Sequence, residues 1–191
     1  MGPRGTFCEQ AAIKYFSGKK VKLVDFPTIP DVFKAVDSNQ VKYGIVPVEN
    51  STEGFVNITL DFLYRTDLRI CGEIEERICH NLIVRPGSRL SKTRSIISHP
   101  RALAQCRRFI EKKFPKTKIY KTNSTAYAVK SLKKFKHAAA IGTISAAKNY
   151  GMKVVLKNIE DTPINFTRFL VVCHSDFTLT GNDKTSIVFA T

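Results

Sequence analysis

The chain is 191 residues long, 43% hydrophobic and 25% charged, a globular composition with length enough for one large core or two modest ones. No apolar run approaches the ~20 residues of a membrane span, and the opening Met1-Gly2-Pro3-Arg4-Gly5-Thr6 lacks the basic, apolar and small-residue order of a secretory leader, so a cytoplasmic protein is expected. The net charge of +15 is concentrated: from Arg101 to Lys157 there are 15 Lys/Arg against the single acid Glu111. Such a face attracts anions, yet it reads equally well as a solvated basic surface, and nucleic acid is not the expected partner.

Short apolar, β-branched runs alternate with helix-period segments almost from end to end, the rhythm of an α/β fold. In chain order the pattern predicts helix 9–16, strand 21–26, helix 31–38, strand 43–48, helix 54–65 and strands 69–77, 82–85 and 93–97. Helix 101–114, strand 117–120, helix 124–135, strand 138–142, helix 144–150 and strands 153–156, 168–174 and 185–190 follow. The 101–114 helix is the plainest, because Leu103, Cys106, Ile110 and Phe114 recur at steps of three and four and line one face. No repeat, low-complexity tract or Gly/Ser linker breaks the rhythm, so a division into lobes is expected to be made by crossing strands. The stretches 80–84 and 165–172, each running from a polar patch into an apolar strand, are the candidates for the outward and returning crossings.

Ligands of open α/β sheets collect beyond the carboxyl ends of strands, where the free N–H groups of the next helix point outward. Four such junctions here carry surplus hydroxyls and amides: Glu49 to Gly54, Ser98-His99-Pro100, Asn123 to Ala126, and Gly142 to Ser145. A fifth, Gly2 to Thr6, has glycines that let backbone approach a ligand just ahead of a helix. Each alone reads as ordinary capping; together they point to an anion-binding cleft. No GxGxxG or Walker loop is present, so nucleotide binding has no support. The five cysteines are odd in number and form no CxxC, and they read as free thiols. Cys71, Cys79 and His80 lack the further half of a four-ligand zinc site, so no metal is expected. His99, His137 and His174 read as surface or capping histidines.

On these residues the chain resembles the prephenate dehydratases over essentially its whole length. The blocks that carry the resemblance are Gly2-Pro3-x-Gly5-Thr6-Phe7 with Glu9-Gln10-Ala11-Ala12, the run Gly44 to Gly54, and Ser98-His99-Pro100-x-Ala102-Leu103-Ala104-Gln105-Cys106. Ser124-Thr125-Ala126, Ala139-Ala140-Ile141-Gly142 and Asn165-x-Thr167-Arg168-Phe169 complete them. Such blocks in the family's order are specific, whereas Thr-Arg-Phe alone would not be. Cys8, Phe55 and Arg101 depart from the hydroxyl residue, small residue and Gln usual at those places.

The resemblance implies two α/β lobes similar to type II periplasmic binding proteins, residues 1–78 with 166–191 in one and 79–165 in the other, with the substrate cleft between them. It implies decarboxylative dehydration of prephenate to phenylpyruvate without metal or organic cofactor, in a homodimer. Thr167 is the candidate for assisting the departing hydroxide, Glu49 a reserve acid if burial raises its pKa, and Arg168 a bidentate clamp on a carboxylate. Thr6, Asn50, Ser51, Ser98, Gln105 and Thr125 are candidate substrate-binding donors, and Phe169 forms either the apolar wall or plain core. The family carries an ACT regulatory domain after this core, which binds phenylalanine, and Lys184 to Thr191 resembles its first strand. A shortened chain and an enzyme naturally lacking that domain both remain open. The rival readings are arogenate dehydratase on the same fold, a non-catalytic anion-binding module, and nucleic-acid binding through the 101–157 face.

Overall fold

Strict alternation along the strands gives each of two sheets two apolar faces, and helices cover all four. A computed structural model describes residues 2–175 and 181–187. The first sheet holds β1 (Gly44–Asn50), β2 (Gly54–Phe55), β3 (Arg69–Arg77) and β9 (Phe166–Cys173) in the order β2-β1-β9-β3, antiparallel at every pairing. The second holds β4 (Asn81–Val84), β5 (Ser95–Ser98), β6 (Lys118–Lys121), β7 (Ala138–Gly142) and β8 (Lys153–Leu156) in the order β6-β5-β7-β4-β8. Here β5 is parallel to β6 and β7, the pairings that need crossover helices, and β4 is antiparallel to its neighbours. The chain passes between sheets twice, at 78–80 and at 157–165.

Helices α1 (Phe7–Tyr15), α2 (Ile29–Asp37) and α3 (Asn57–Arg65) serve the first sheet. Ile45, Phe169 and Val171 face α1, whereas Val46, Val48, Leu170 and Val172 face α2 and α3. Around the second sheet, α4 (Pro100–Gln105) and α5 (Arg107–Lys113) cover the face of Leu82, Ile96, Ala139 and Ile141. Helices α6 (Thr125–Ser131) and α7 (Ile144–Tyr150) cover Ile83, Ile97, Ala138 and Ala140. The alanine-rich β7 and the alanines of α6 and α7 let backbones approach closely, and every one of these side chains is at most 2% exposed.

Four expectations need correction. The 21–26 segment joins neither sheet among the described residues; Val21, Leu23 and Val24 stay 38–47% exposed at the rim of a depression of about 300 Å³ shared with Phe16, Val32 and Ile45. The 101–114 helix is interrupted at Cys106 (φ −115°, ψ 21°), because Asp161 intrudes: its backbone N–H donates to the Gln105 carbonyl at 2.7 Å and its carboxylate accepts the Arg108 and Phe109 N–H groups at 2.9 and 3.2 Å. Periodicity could not register a break whose cause lies more than fifty residues away. The predicted helix 54–65 opens with β2 before α3, since Gly54 sits at φ +82° and its backbone pairs with β1. Residues 185–187 form no strand, and 188–190 lie outside the described residues.

Candidate active site

The site lies where the two sheets meet, and a β-bulge in β1 arranges it. Pairing runs Pro47 opposite Phe169 but Glu49 opposite Arg168, so Val48 is the extra residue. As a result Asn50 stands opposite Thr167 and shares its face, while Glu49 joins the face of Arg168. Asn50 Nδ2 donates to Thr167 Oγ1 at 2.8 Å, to Asn165 Oδ1 at 2.8 Å and to the Phe166 carbonyl at 3.0 Å. Its Oδ1 accepts from Thr52 N, Thr52 Oγ1 and Glu53 N at 3.0, 2.7 and 3.1 Å, which folds the 50–53 turn around it. Thr167 is buried, and because its oxygen already accepts from Asn50, its own hydrogen is left to donate.

The network continues into the second sheet. Asn165 Nδ2 donates to Gln105 Oε1 at 3.1 Å, Gln105 Nε2 donates to Glu53 Oε1 at 2.7 Å, and Glu53 Oε2 pairs with Arg101 Nε at 3.0 Å. His80, in the outward crossing, brings Nε2 to 2.7 Å from Gln105 Oε1. Helix α1 starts at the same seam. Thr6 caps it by accepting from Glu9 N at 3.3 Å, and the Gly5 carbonyl accepts from Thr143 Oγ1, the cap of α7, at 2.6 Å. Gly5 has φ +90°, and a Cβ there would stand 2.5 Å from the Ala146 Cα, so glycine alone lets the two helix starts abut. Two helix N-termini thus meet at one seam, and the Glu9 carboxylate in the first turn of α1 accepts the Gly5 N–H at 2.5 Å.

Thr167, Asn50 and Gln105 are thus brought into one hydrogen-bonded chain, and Thr6 stands at the start of the helix beside it. Ser98 is fully buried and spends its hydroxyl on the Ile141 carbonyl at 2.7 Å. Ser51 accepts from Phe166 N at 3.0 Å and so extends the β1–β9 pairing. Thr125 opens α6, its carbonyl alongside Gly142. Phe169 is 1% exposed in the core beneath α1, so the plain-core alternative is the one observed.

Arg168 and Glu49 sit differently from the expected arrangement. Consecutive strand residues face opposite ways, and Arg168 points away from Thr167 to pair with Glu49 Oε2 at 3.0 Å and Glu73 Oε2 at 3.5 Å. Both arms of the fork are engaged by protein carboxylates. Glu49, 41% exposed at its side chain, lacks the burial on which the role of reserve acid depended. Glu73 also holds Lys184, whose ammonium is the main cause that keeps the Glu73 carboxyl below its ordinary value, with Arg168 adding to it against partial burial.

Asn165, Glu53, His80 and Thr143 were not among the candidate residues. Asn165 was legible as the first residue of the Asn-x-Thr-Arg-Phe block; His80 stood out only as a possible metal ligand beside Cys71 and Cys79 and as the start of a crossing strand. Cys71 lies against the Cys173 thiol and is pushed up to about 12 by burial and that neighbour, and all five cysteines are free. Among the described residues no three His, Cys, Asp or Glu side chains are grouped to hold a metal. No helix of the described residues is long and apolar enough to cross a membrane.

The sequence model of the family described as "Prephenate dehydratase" matches residues 1–176. The chain belongs to the prephenate dehydratase family. It is 42% identical over 188 residues to a bifunctional chorismate mutase/prephenate dehydratase of Stutzerimonas stutzeri, covering 98% of this chain and 51% of that protein. The chain therefore spans about half the length of the curated bifunctional relatives it matches. Among solved structures, a prephenate dehydratase of Arthrobacter aurescens in complex with L-Phe superposes with a TM-score of 0.85 at 30% identity, covering 93% of this chain and 60% of that one. A protein described as a novel type of quorum quenching acylase superposes at 0.81 and 28% identity, covering 93% and 64%. The two-lobed α/β architecture expected from the resemblance is thereby the architecture of this chain as well.

Proposed function

We propose that the chain catalyses the decarboxylative dehydration of prephenate to phenylpyruvate, with the reacting ring held at the seam of the two sheets. The observation that carries this reading is the Asn50–Thr167 hydrogen bond at 2.8 Å, which leaves a buried hydroxyl hydrogen to offer in a chain of this family. In the reaction the bond from ring carbon to carboxylate breaks and its electron pair enters the ring. The opposite carbon–oxygen bond then breaks, and the departing hydroxide takes up a proton to leave as water. Aromatisation makes the process downhill, so the protein's contribution is positioning and a hydrogen bond to a poor leaving group.

Thr167 is assigned the hydrogen bond to the leaving oxygen. A threonine hydroxyl is too weak an acid to lose its proton outright, so it donates a hydrogen bond only, and the proton that completes the departing water is taken from solvent. The retained side-chain carboxylate is assigned to the N-terminus of α1 at Thr6, and neutral donors from Gln105 and Thr125 hold the remaining polar groups. The carboxylate that leaves should be gripped less firmly, because ground-state stabilisation of it would slow its loss. Arg168 then acts through strand order, tying β1 to β3 by Glu49 and Glu73, and not by binding substrate. Residues 1–78 with 166–191 are taken as one lobe and 79–165 as the other, in a cytoplasmic homodimer.

The test is incubation of the purified chain with prephenate, following phenylpyruvate by its alkaline absorbance, beside arogenate, followed as phenylalanine. Turnover of prephenate above arogenate supports the reading. Preferential turnover of arogenate transfers the site to the amino analogue, and turnover of neither removes the proposal.

A further inference from the structure

The amide chain at the seam has a defined polarity, and that polarity is set from His80. Gln105 Nε2 faces the Glu53 carboxylate at 2.7 Å, and a carboxylate only accepts, so the amino end of this carboxamide must lie on that side. Its oxygen therefore faces the other way, toward Asn165 Nδ2 at 3.1 Å and His80 Nε2 at 2.7 Å. A carbonyl oxygen cannot donate, so the hydrogen between His80 and Gln105 belongs to His80 Nε2. We propose that His80 is a positioning residue of the dehydratase site, a neutral imidazole with its hydrogen on Nε2 that aligns Gln105 and, through Asn165 and Asn50, the Thr167 hydroxyl.

Several observations agree on the neutral form. His80 is 2% exposed, and its Nδ1 has no hydrogen-bond partner among the described residues, whereas an imidazolium would need acceptors at both nitrogens. The Phe7 ring packs edge-on against the imidazole, with centroids 5.8 Å apart and an interplanar angle of 79°, which brings apolar surface to this side chain. Burial lowers the His80 pKa, although Gln105, Glu160 and Glu53 each pull the other way. Glu160 turns to the backbone of the crossing: its carboxylate accepts the His80 backbone N–H at 2.9 Å, and the His80 carbonyl accepts from Ile159 N at 2.9 Å. Both crossings between the sheets are therefore clamped at the residue whose side chain orders the amides. With one end of the chain anchored by the Glu53 carboxylate and the imidazole N–H, each successive amide has one satisfactory orientation, and Asn50 presents N–H, not oxygen, to Thr167.

This inference rests on the dehydratase reading only for its kinetic half, and the test separates the two. In His80→Phe the shape stays and the donor goes; in His80→Gln the side-chain amide nitrogen returns a donor near the position of Nε2. Prephenate turnover by His80→Phe should fall on the order of 10- to 100-fold at a temperature where the protein is fully folded, with KM changed less than about threefold, and His80→Gln should recover most of the loss. Equal kcat in His80→Phe and the parent chain, or a His80→Gln as impaired as His80→Phe, overturns the proposal. Nitrogen-15 spectra of the histidine-labelled chain read the proton without any substrate: the expected state at pH 7 is neutral with hydrogen on Nε2, and an Nδ1–H tautomer or an imidazolium refutes it. A parent chain that makes no phenylpyruvate yet shows the Nε2–H tautomer would fail the proposed function while leaving the assigned orientation of the amides in place.

Discussion

Asn50→Asp changes one atom and reverses the hydrogen-bonding sense of the seam. The Oδ1 contacts to Thr52 and Glu53 survive, but the position of Nδ2 is surrounded by three oxygens, Asn165 Oδ1, the Phe166 carbonyl and Thr167 Oγ1, all within 3.0 Å. Two N–H hydrogens vanish, and each acceptor stranded away from water costs about 1–3 kcal/mol; because Asn50 is half-buried, the lower part of that range applies, for a total of about 2–3 kcal/mol. For a chain of this size each kcal/mol moves Tm by roughly 2–4 °C, so a drop of about 4–12 °C is expected. The new carboxylate recovers one bond by drawing the Thr167 hydroxyl hydrogen to itself, and that is the hydrogen the leaving oxygen needs. Turnover should therefore fall by on the order of 10²–10³, beyond what the lower stability explains at a temperature where the variant is folded. Calorimetric melting and the phenylpyruvate assay read the two effects separately. A variant with near-parental turnover and a Tm within about 1 °C would refute the assigned direction of the Asn50 amide.

Thr167→Val keeps the branched shape and should lower prephenate turnover by on the order of 10²–10⁴ while the far-ultraviolet circular dichroism is unchanged; activity near that of the parent chain would remove the hydroxyl from the mechanism. Gly5→Ala puts a methyl group 2.5 Å from the Ala146 Cα at a backbone φ of +90°, so beyond the ~1–2 kcal/mol of the left-handed conformation it must push α1 from α7. A lower Tm with a larger radius of gyration by small-angle scattering is expected, and an unchanged scattering profile would contradict the close approach. The Glu73 carboxyl is held below its ordinary value of 4.5 chiefly by Lys184, so its contribution to stability is complete above that value and is lost as pH falls through the lower, folded one. In Lys184→Ala the carbon-13 titration of Glu73 should move up toward 4.5, and an unmoved midpoint would discount the pair. The Cys71 thiol, pushed up to about 12, should stay unalkylated by iodoacetamide at pH 8 in the folded chain and react once unfolded, as read by peptide mass spectrometry; modification in the native state would count against its burial beside Cys173.

Local pattern carried much of this fold. The bounds of β3, β7, β8 and α7 were readable residue for residue, because each is framed by its own alternation, capping residue or glycine. The capping hydroxyls of Thr6, Ser124 and Thr143 were visible as surplus polar groups at strand-to-helix junctions, and as helix caps they have the simplest of the readings open to them. Long-range effects stayed hidden. Asp161 breaks the 101–114 helix from across the fold, and the Val21 to Phe26 segment finds no strand partner among the described residues and leaves Val21, Leu23 and Val24 exposed. The site divides in the same way: Asn50, Gln105 and Thr167 could be named from their blocks, but adjacency of Thr167 and Arg168 in sequence suggested a shared crevice that a strand forbids. His80 was weighed only as a metal ligand, because its bearing on the site lies in what accepts its hydrogen, which only the packed chain reveals.

The single extra residue at Val48 also has a consequence for engineering this protein. Flattening the bulge with Val48 retained would set Val48 opposite Arg168, and the residue facing the threonine would then be an acid, with the carboxamide moved one step along toward Phe166. Removing Val48 together with the bulge would instead leave the carboxamide where it is. Grafts or chimaeras that exchange this strand between relatives must therefore keep the bulge and the count of residues between Gly44 and Asn50 matched, because changing either one alone displaces the carboxamide.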